Sequence, residues 1–181
     1  MSQYAAFLRG INVGGHRISS GDLRARFEEL GFEDVSTFRA SGNVVFATAA
    51  AEPPTETAVR IEAGLAAALG YAVPVFLRSE SEIQAMAAHR PFAQPLIEAS
   101  KGKLQVAMLS SAPAAKARKQ VLALASDEDR LAFGARELHW LPSGGIMDTT
   151  LDFKAIGKLI GPMTVRTKGT VDLVAAKYFA E

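Results

Sequence analysis

Apolar positions along this chain fall into two rhythms, short runs or alternations and a three-to-four-residue spacing, which predict strands and helices respectively. Tyr4–Arg9 is a short apolar run and reads as a strand. A helix follows from about Ser20, with Leu23, Phe27 and Leu30 at helical spacing, Ser19 and Asp22 as a capping pair, and Gly31 as the stop. Val35–Arg39 and Asn43–Ala47 read as two strands joined through Ser41 and Gly42. Behind Pro53 and Pro54, a second helix carries Ala58, Ile61, Leu65 and Leu69 on one face and ends at Gly70. Val73–Leu77 closes the series as a strand.

The order then repeats. Leu104–Leu109 reads as a strand and 113–125 as a helix, and Leu131, Phe133, Leu138 and Trp140 mark the two strands of a hairpin. A helix with Ile156, Leu159 and Ile160 stops at Gly161 and Pro162. Met163–Arg166 forms a closing strand, and a C-terminal helix runs from about Thr170. Each half matches the split βαβ pattern, βαββαβ. The expected fold is therefore α+β: two ferredoxin-like halves, an apparent structural duplication inferred from element order alone, plus a linking helix and a C-terminal helix. The expected boundaries are 1–78 for the first half, 79–103 for the link, and 104–181 for the second half. The link comprises a helix capped by Ser79 and Glu82, then an irregular stretch from Pro91 to Lys103.

Composition narrows the class. A chain of 181 residues that is 49% hydrophobic and 22% charged is an ordinary globular sequence, long enough to fold without a staple. It has no cysteine, which excludes disulfides, thiolate metal sites and a Cys nucleophile. The start lacks the pattern of a signal peptide, and no apolar run approaches the ~18 residues that cross a bilayer. The expected location is the cytoplasm, with no membrane partner. A net charge of +1 and a pI near 8.0 argue against a large nucleic-acid footprint.

The most distinctive chemistry lies at Arg9, Gly10, Asn12, Gly14, Gly15, His16 and Arg17, between a strand and a helix, where backbone N–H groups can cradle an anion. Gly10 and Gly15 have the spacing of a phosphate-binding P-loop, but that motif continues with Lys and then Ser or Thr, whereas here His16 and Arg17 follow. The dinucleotide fingerprint fails on glycine spacing. No cofactor signature is present. The alternative is a loop whose glycines merely turn the chain beneath solvated cations. A second cluster, Thr164, Arg166, Thr167, Lys168 and Thr170, offers hydroxyls and cations just before the last helix and suits a phosphate or carboxylate. Its plain counterpart is helix capping by Thr170 or Thr167.

The remaining groups carry less. His139 alternates with Leu138 and Trp140, so it is expected to face solvent, and His89 ends a helix. No histidine has zinc-ligand spacing, and no metal site is expected. Asp127, Glu128 and Asp129 read as a solvated loop. Tyr4, Phe7 and Phe46 sit where an RNA-binding sheet would stack bases, but core packing accounts for them.

The run from Leu8 to Gly15, followed by Ser41, Gly42 and Asn43, resembles the uncharacterised bacterial family called domain of unknown function 1697. Pro142, Ser143, Gly144, Thr164, Val165, Arg166 and Thr170 extend the resemblance over nearly the whole chain. It implies two ferredoxin-like subdomains and supplies no activity. The sequence departs from the family at His16, often Lys, at Thr149 and Thr150, often Ser and Lys, and at Thr167, usually Asn. The leading functional expectation is binding of a small anionic ligand through Arg9, Gly10, Asn12, Gly14, Gly15, His16, Arg17, Ser41, Asn43, Thr164, Arg166 and Thr170. The alternatives are an enzyme whose site lies between the halves with His16 as acid or base, and a module for protein interaction or self-association. RNA binding comes last.

Overall fold

The computed structural model describes residues 1–180. The chain divides into two compact units: residues 1–84 with the chain end from Lys177 onward, and Ala85–Ala176.

The first unit opens with β1 (Ser2–Leu8), α1 (Ser20–Glu29), β2 (Glu33–Thr37), β3 (Asn43–Thr48), α2 (Pro54–Leu69) and β4 (Val75–Ser79). Its sheet is antiparallel in the order β2-β3-β1-β4. Alternation along the strands puts Tyr4, Ala6, Leu8, Val44, Phe46 and Leu77 on the face that meets Leu23, Phe27, Ile61 and Leu65 of the two helices. The opposite face, with Ala5, Phe7, Val45, Phe76 and Arg78, is also withdrawn from solvent. That explains why β1, β3 and β4 read as near-continuous apolar runs rather than as clean alternations. Ser19 caps α1 by accepting the Asp22 N–H at 3.0 Å. Gly70 ends α2 in the left-handed conformation.

Strand β1 starts at Ser2 and ends at Leu8 rather than running from Tyr4 to Arg9, and two further strands of this unit are displaced from the sequence expectation. Strand β2 lies two residues earlier, at Glu33–Thr37, because its pairing with β3 shifts register between Glu33 and Ser36, where Asp34 has φ 49°. Strand β4 lies two residues later. Pro74 has no N–H for a ladder, and its carbonyl instead accepts the Arg9 N–H at 3.0 Å.

The next elements are α3 (Glu80–Ala88), α4 (Gln94–Ala99), β5 (Gln105–Leu109), α5 (Ala115–Leu122), β6 (Asp129–Phe133), β7 (Glu137–Pro142), α6 (Phe153–Ile160), β8 (Met163–Thr167) and α7 (Lys168–Tyr178). The second sheet is antiparallel in the order β6-β7-β5-β8. One face holds Ala107, Leu109, Leu131, Leu138 and Trp140 against Val121, Ile156 and Ile160. The linking stretch is not wholly irregular, since α4 begins with Pro95 in its first turn. Four further expectations are corrected. Helix α5 is shorter than 113–125 at both ends, and α7 starts at Lys168 because Thr167, not Thr170, is the cap: the Thr170 N–H donates to Thr167 Oγ1 at 3.2 Å. Asp129 is not solvated but buried, accepting the Trp140 indole N–H at 2.7 Å. His139 is fully buried rather than solvent-facing, because both faces of β7 are covered.

Candidate functional site

Strand β1 hands the chain to the glycine-rich loop at one end of the first sheet, and the same end receives the turn between β2 and β3. Within the loop Gly10, Asn12, Gly14 and Gly15 all have φ between 55° and 90°. Three are glycines, for which this region costs little, and asparagine tolerates it better than most residues. Asn12 also holds the loop together. Its amide nitrogen donates to the Ala40 carbonyl at 3.0 Å, and its amide oxygen accepts the Ile18 N–H at 2.7 Å. The turn answers from its side, with the Leu8 N–H donating to the Gly42 carbonyl at 2.8 Å. Gly42 has φ 79°, and a Cβ there would collide with Ile11 Cγ2.

Asn43 is buried. It donates to the Phe38 carbonyl at 2.7 Å and to Ser41 Oγ at 3.0 Å, so it shapes the turn. Arg9, His16, Arg17 and Ser41 are exposed around this scaffold, as is Arg39, which the sequence reading did not include. The turn-forming Ser41 and Gly42 were a signal that could have drawn attention to it. Arg39 also adopts positive φ, 59°, with its guanidinium 5.3 Å from the Phe38 ring centroid. His16 stacks on Tyr71 with ring centroids 3.7 Å apart and planes 25° from parallel. Arg17 donates to the His16 carbonyl at 2.7 Å and lines a depression of about 480 Å³ with Ile18, Ser19, Asp22, Arg26 and Leu69.

Arg9, Gly10, Asn12, Gly14, Gly15, His16, Arg17, Ser41 and Asn43 thus belong to one loop cluster of the first unit. Thr164, Arg166 and Thr170 belong to the second unit. Arg166 projects from β8 opposite Val106 and donates to Thr164 Oγ1 and to the Val165 carbonyl, each at 2.9 Å. Burial pulls its pKa down to about 10, which leaves it a cation at neutral pH. Thr170 bonds Thr167 across the start of α7. The first unit contains a counterpart to Arg166. Arg78 projects from β4 opposite Ala5, is buried, and donates to the Leu77 carbonyl at 2.9 Å.

One further group joins residues that the sequence placed apart: Lys168 of the threonine cluster, His89 and His139. Lys168 is buried and donates to the Ala87 carbonyl at 2.9 Å and to Asp172. Beside it, His89 and His139 lie with ring centroids 4.8 Å apart. Burial, then the neighbouring His89 and Lys168, lower the His139 pKa from 6.5 to about 4. No sequence signal marked this pair, whose members are brought together only by the fold. Among the described residues no group of three His, Cys, Asp or Glu side chains gathers to hold a metal ion, and no helix is long and apolar enough to cross a membrane.

The molecule is a mixed α+β protein with two antiparallel four-stranded sheets and a braced, cation-rimmed glycine loop. The chain belongs to the family described as "Protein of unknown function (DUF1697)", whose model matches residues 1–139. A comparison with curated proteins gives no match. Among solved structures, it is similar to the conserved bacterial protein SP0830 from Streptococcus pneumoniae, with 19% identity, a TM-score of 0.73 and 97% of each chain covered. A likeness at that identity extends to the fold.

Proposed function

We propose that the protein binds a small phosphate- or carboxylate-bearing ligand at the Gly10–Arg17 loop. One observation carries the reading: Asn12 pins the loop from both ends of its side chain, so a run of left-handed residues is held in place beneath exposed Arg9, His16 and Arg17. A fixed loop presents its N–H groups without a large ordering cost on binding, and the cations supply charge-assisted hydrogen bonds. Asn12 and Asn43 act here as positioning residues. The His16–Tyr71 stack orients the imidazole as a flat wall of the site, which favours binding over proton transfer as its role.

The test is a thermal-shift screen with inorganic phosphate, sugar phosphates and small carboxylates. A ligand at about 100 times its dissociation constant stabilises the fold by roughly 2.7 kcal/mol, a rise of several degrees. Arg9→Ala and Arg17→Ala are expected to abolish the rise while leaving the unliganded midpoint within a degree or two. Undiminished shifts in both variants would refute the assignment.

We propose that the two sheets with their helices are ferredoxin-like halves related by duplication, drawn from residues 1–78 and 104–181, with α3 and α4 in the stretch between them. Support comes from the shared element order, the matching strand orders and the paired positions of Arg78 and Arg166. A cytoplasmic location fits the absence of cysteine.

A further inference from the structure

Buried polar atoms in folded proteins nearly always find partners, and an exception calls for an explanation. The second unit contains such an exception. His139 has no exposed surface, and neither of its ring nitrogens has a hydrogen-bond partner. Nε2 of His89, which follows α3, is buried and unpartnered as well. The two rings lie 4.8 Å apart and are tilted by 46°. Two imidazoles bound to one ion through bonds of about 2.0–2.1 Å, at a tetrahedral angle, have ring centroids roughly 5 Å apart. We propose that His89 and His139 form a two-imidazole site for a borderline divalent transition metal such as Zn²⁺ or Cu²⁺.

Neither ring nitrogen of His139, nor Nε2 of His89, is engaged by a protein partner, so donor atoms are available without breaking a hydrogen bond. His89 is half-buried, whereas His139 has no exposed surface. Lys168 opposes a dication, although its ammonium is already engaged by the Ala87 carbonyl and Asp172. With two protein ligands and an adjacent ammonium, the site is open and weaker than a four-ligand structural zinc site. The inference is independent of the anion site, which lies in the first unit.

The experiment uses the full chain, stripped with a chelator, and Zn²⁺ alone as the probe in a thermal melt. Wild type is expected to gain several degrees at saturating Zn²⁺, and His139→Phe and His89→Ala to gain none. His139→Phe replaces a ring without hydrogen bonds by an apolar one of similar shape, so it is expected to fold at least as well as wild type. Lys168→Met should tighten Zn²⁺ binding about tenfold or more. Electron paramagnetic resonance of the Cu²⁺ form should show hyperfine coupling to two nitrogens, reduced to one or none in either histidine variant. No shift in wild type, or an equal shift in the histidine variants, would overturn the proposal.

Discussion

At the scale of single residues, the molecule depends on a few side chains whose partners are distant in sequence. Asn12 and Ala40 are 28 residues apart, yet their hydrogen bond fixes the candidate site. Gly42 is the other half of that junction. Alanine there would sit at φ 79° with its Cβ inside the radius of Ile11 Cγ2 and 3.1 Å from Leu8 Cβ. The left-handed backbone and the overpacking together should cost about 3 kcal/mol, read as a lower urea midpoint with an unchanged slope. A cost under about 1 kcal/mol would mean that the turn relaxes freely and does not brace the loop. His139 sets a dependence on acid. Its folded pKa of about 4 lies below the ordinary 6.5, so the unfolded chain takes up a proton that the folded chain refuses. The contribution is therefore intact above pH 6.5 and shrinks as pH falls toward 4, by about 3 kcal/mol in total. Urea titrations between pH 7 and 4, with a chelator present, should show that loss in wild type and a flatter profile in His139→Phe.

At the scale of elements, local chemistry sets most boundaries, and it was readable. Ser19 starts α1, Pro53 and Pro54 start α2, and Gly31, Gly70 and Gly161 follow helix ends, all as the sequence suggested. Ser19→Ala should cost about 1 kcal/mol by leaving the Asp22 N–H without its acceptor. Thermal melts of Ser19→Ala against Ser19→Gly, which should lose only a few tenths of that, would check the assignment. The errors have equally local causes. Alternation cannot announce a bulge, so the register shift around Asp34 displaced β2. Helix α4 has no buried residue, so it left no apolar periodicity to find. Nor does alternation reveal what lies above a strand face. It placed His139 on the face opposite Trp140 correctly but could not show that this face was covered too.

At the scale of the whole molecule, two antiparallel four-stranded sheets were legible because the order of elements repeats, even though the halves share no obvious residue identity. The loop cluster was legible in outline, since glycines and cations between a strand and a helix are conspicuous. Its division of labour was not. The sequence ranks Asn12 and Asn43 beside Arg9 and Arg17 as equals, whereas hydrogen bonding makes the asparagines scaffold and leaves the arginines exposed.

The chain's last residues rejoin the unit with which it began. Phe179 is buried, its carbonyl accepts from Gln84 Nε2 at 2.9 Å, and Tyr178 sets its ring edge-on against Phe38. During synthesis, then, the first unit to emerge is the last to be completed. Until the residues from Lys177 onward are made, the nascent protein carries a first unit without its closing aromatic residues, whereas the second unit, Ala85–Ala176, has by then been fully synthesised.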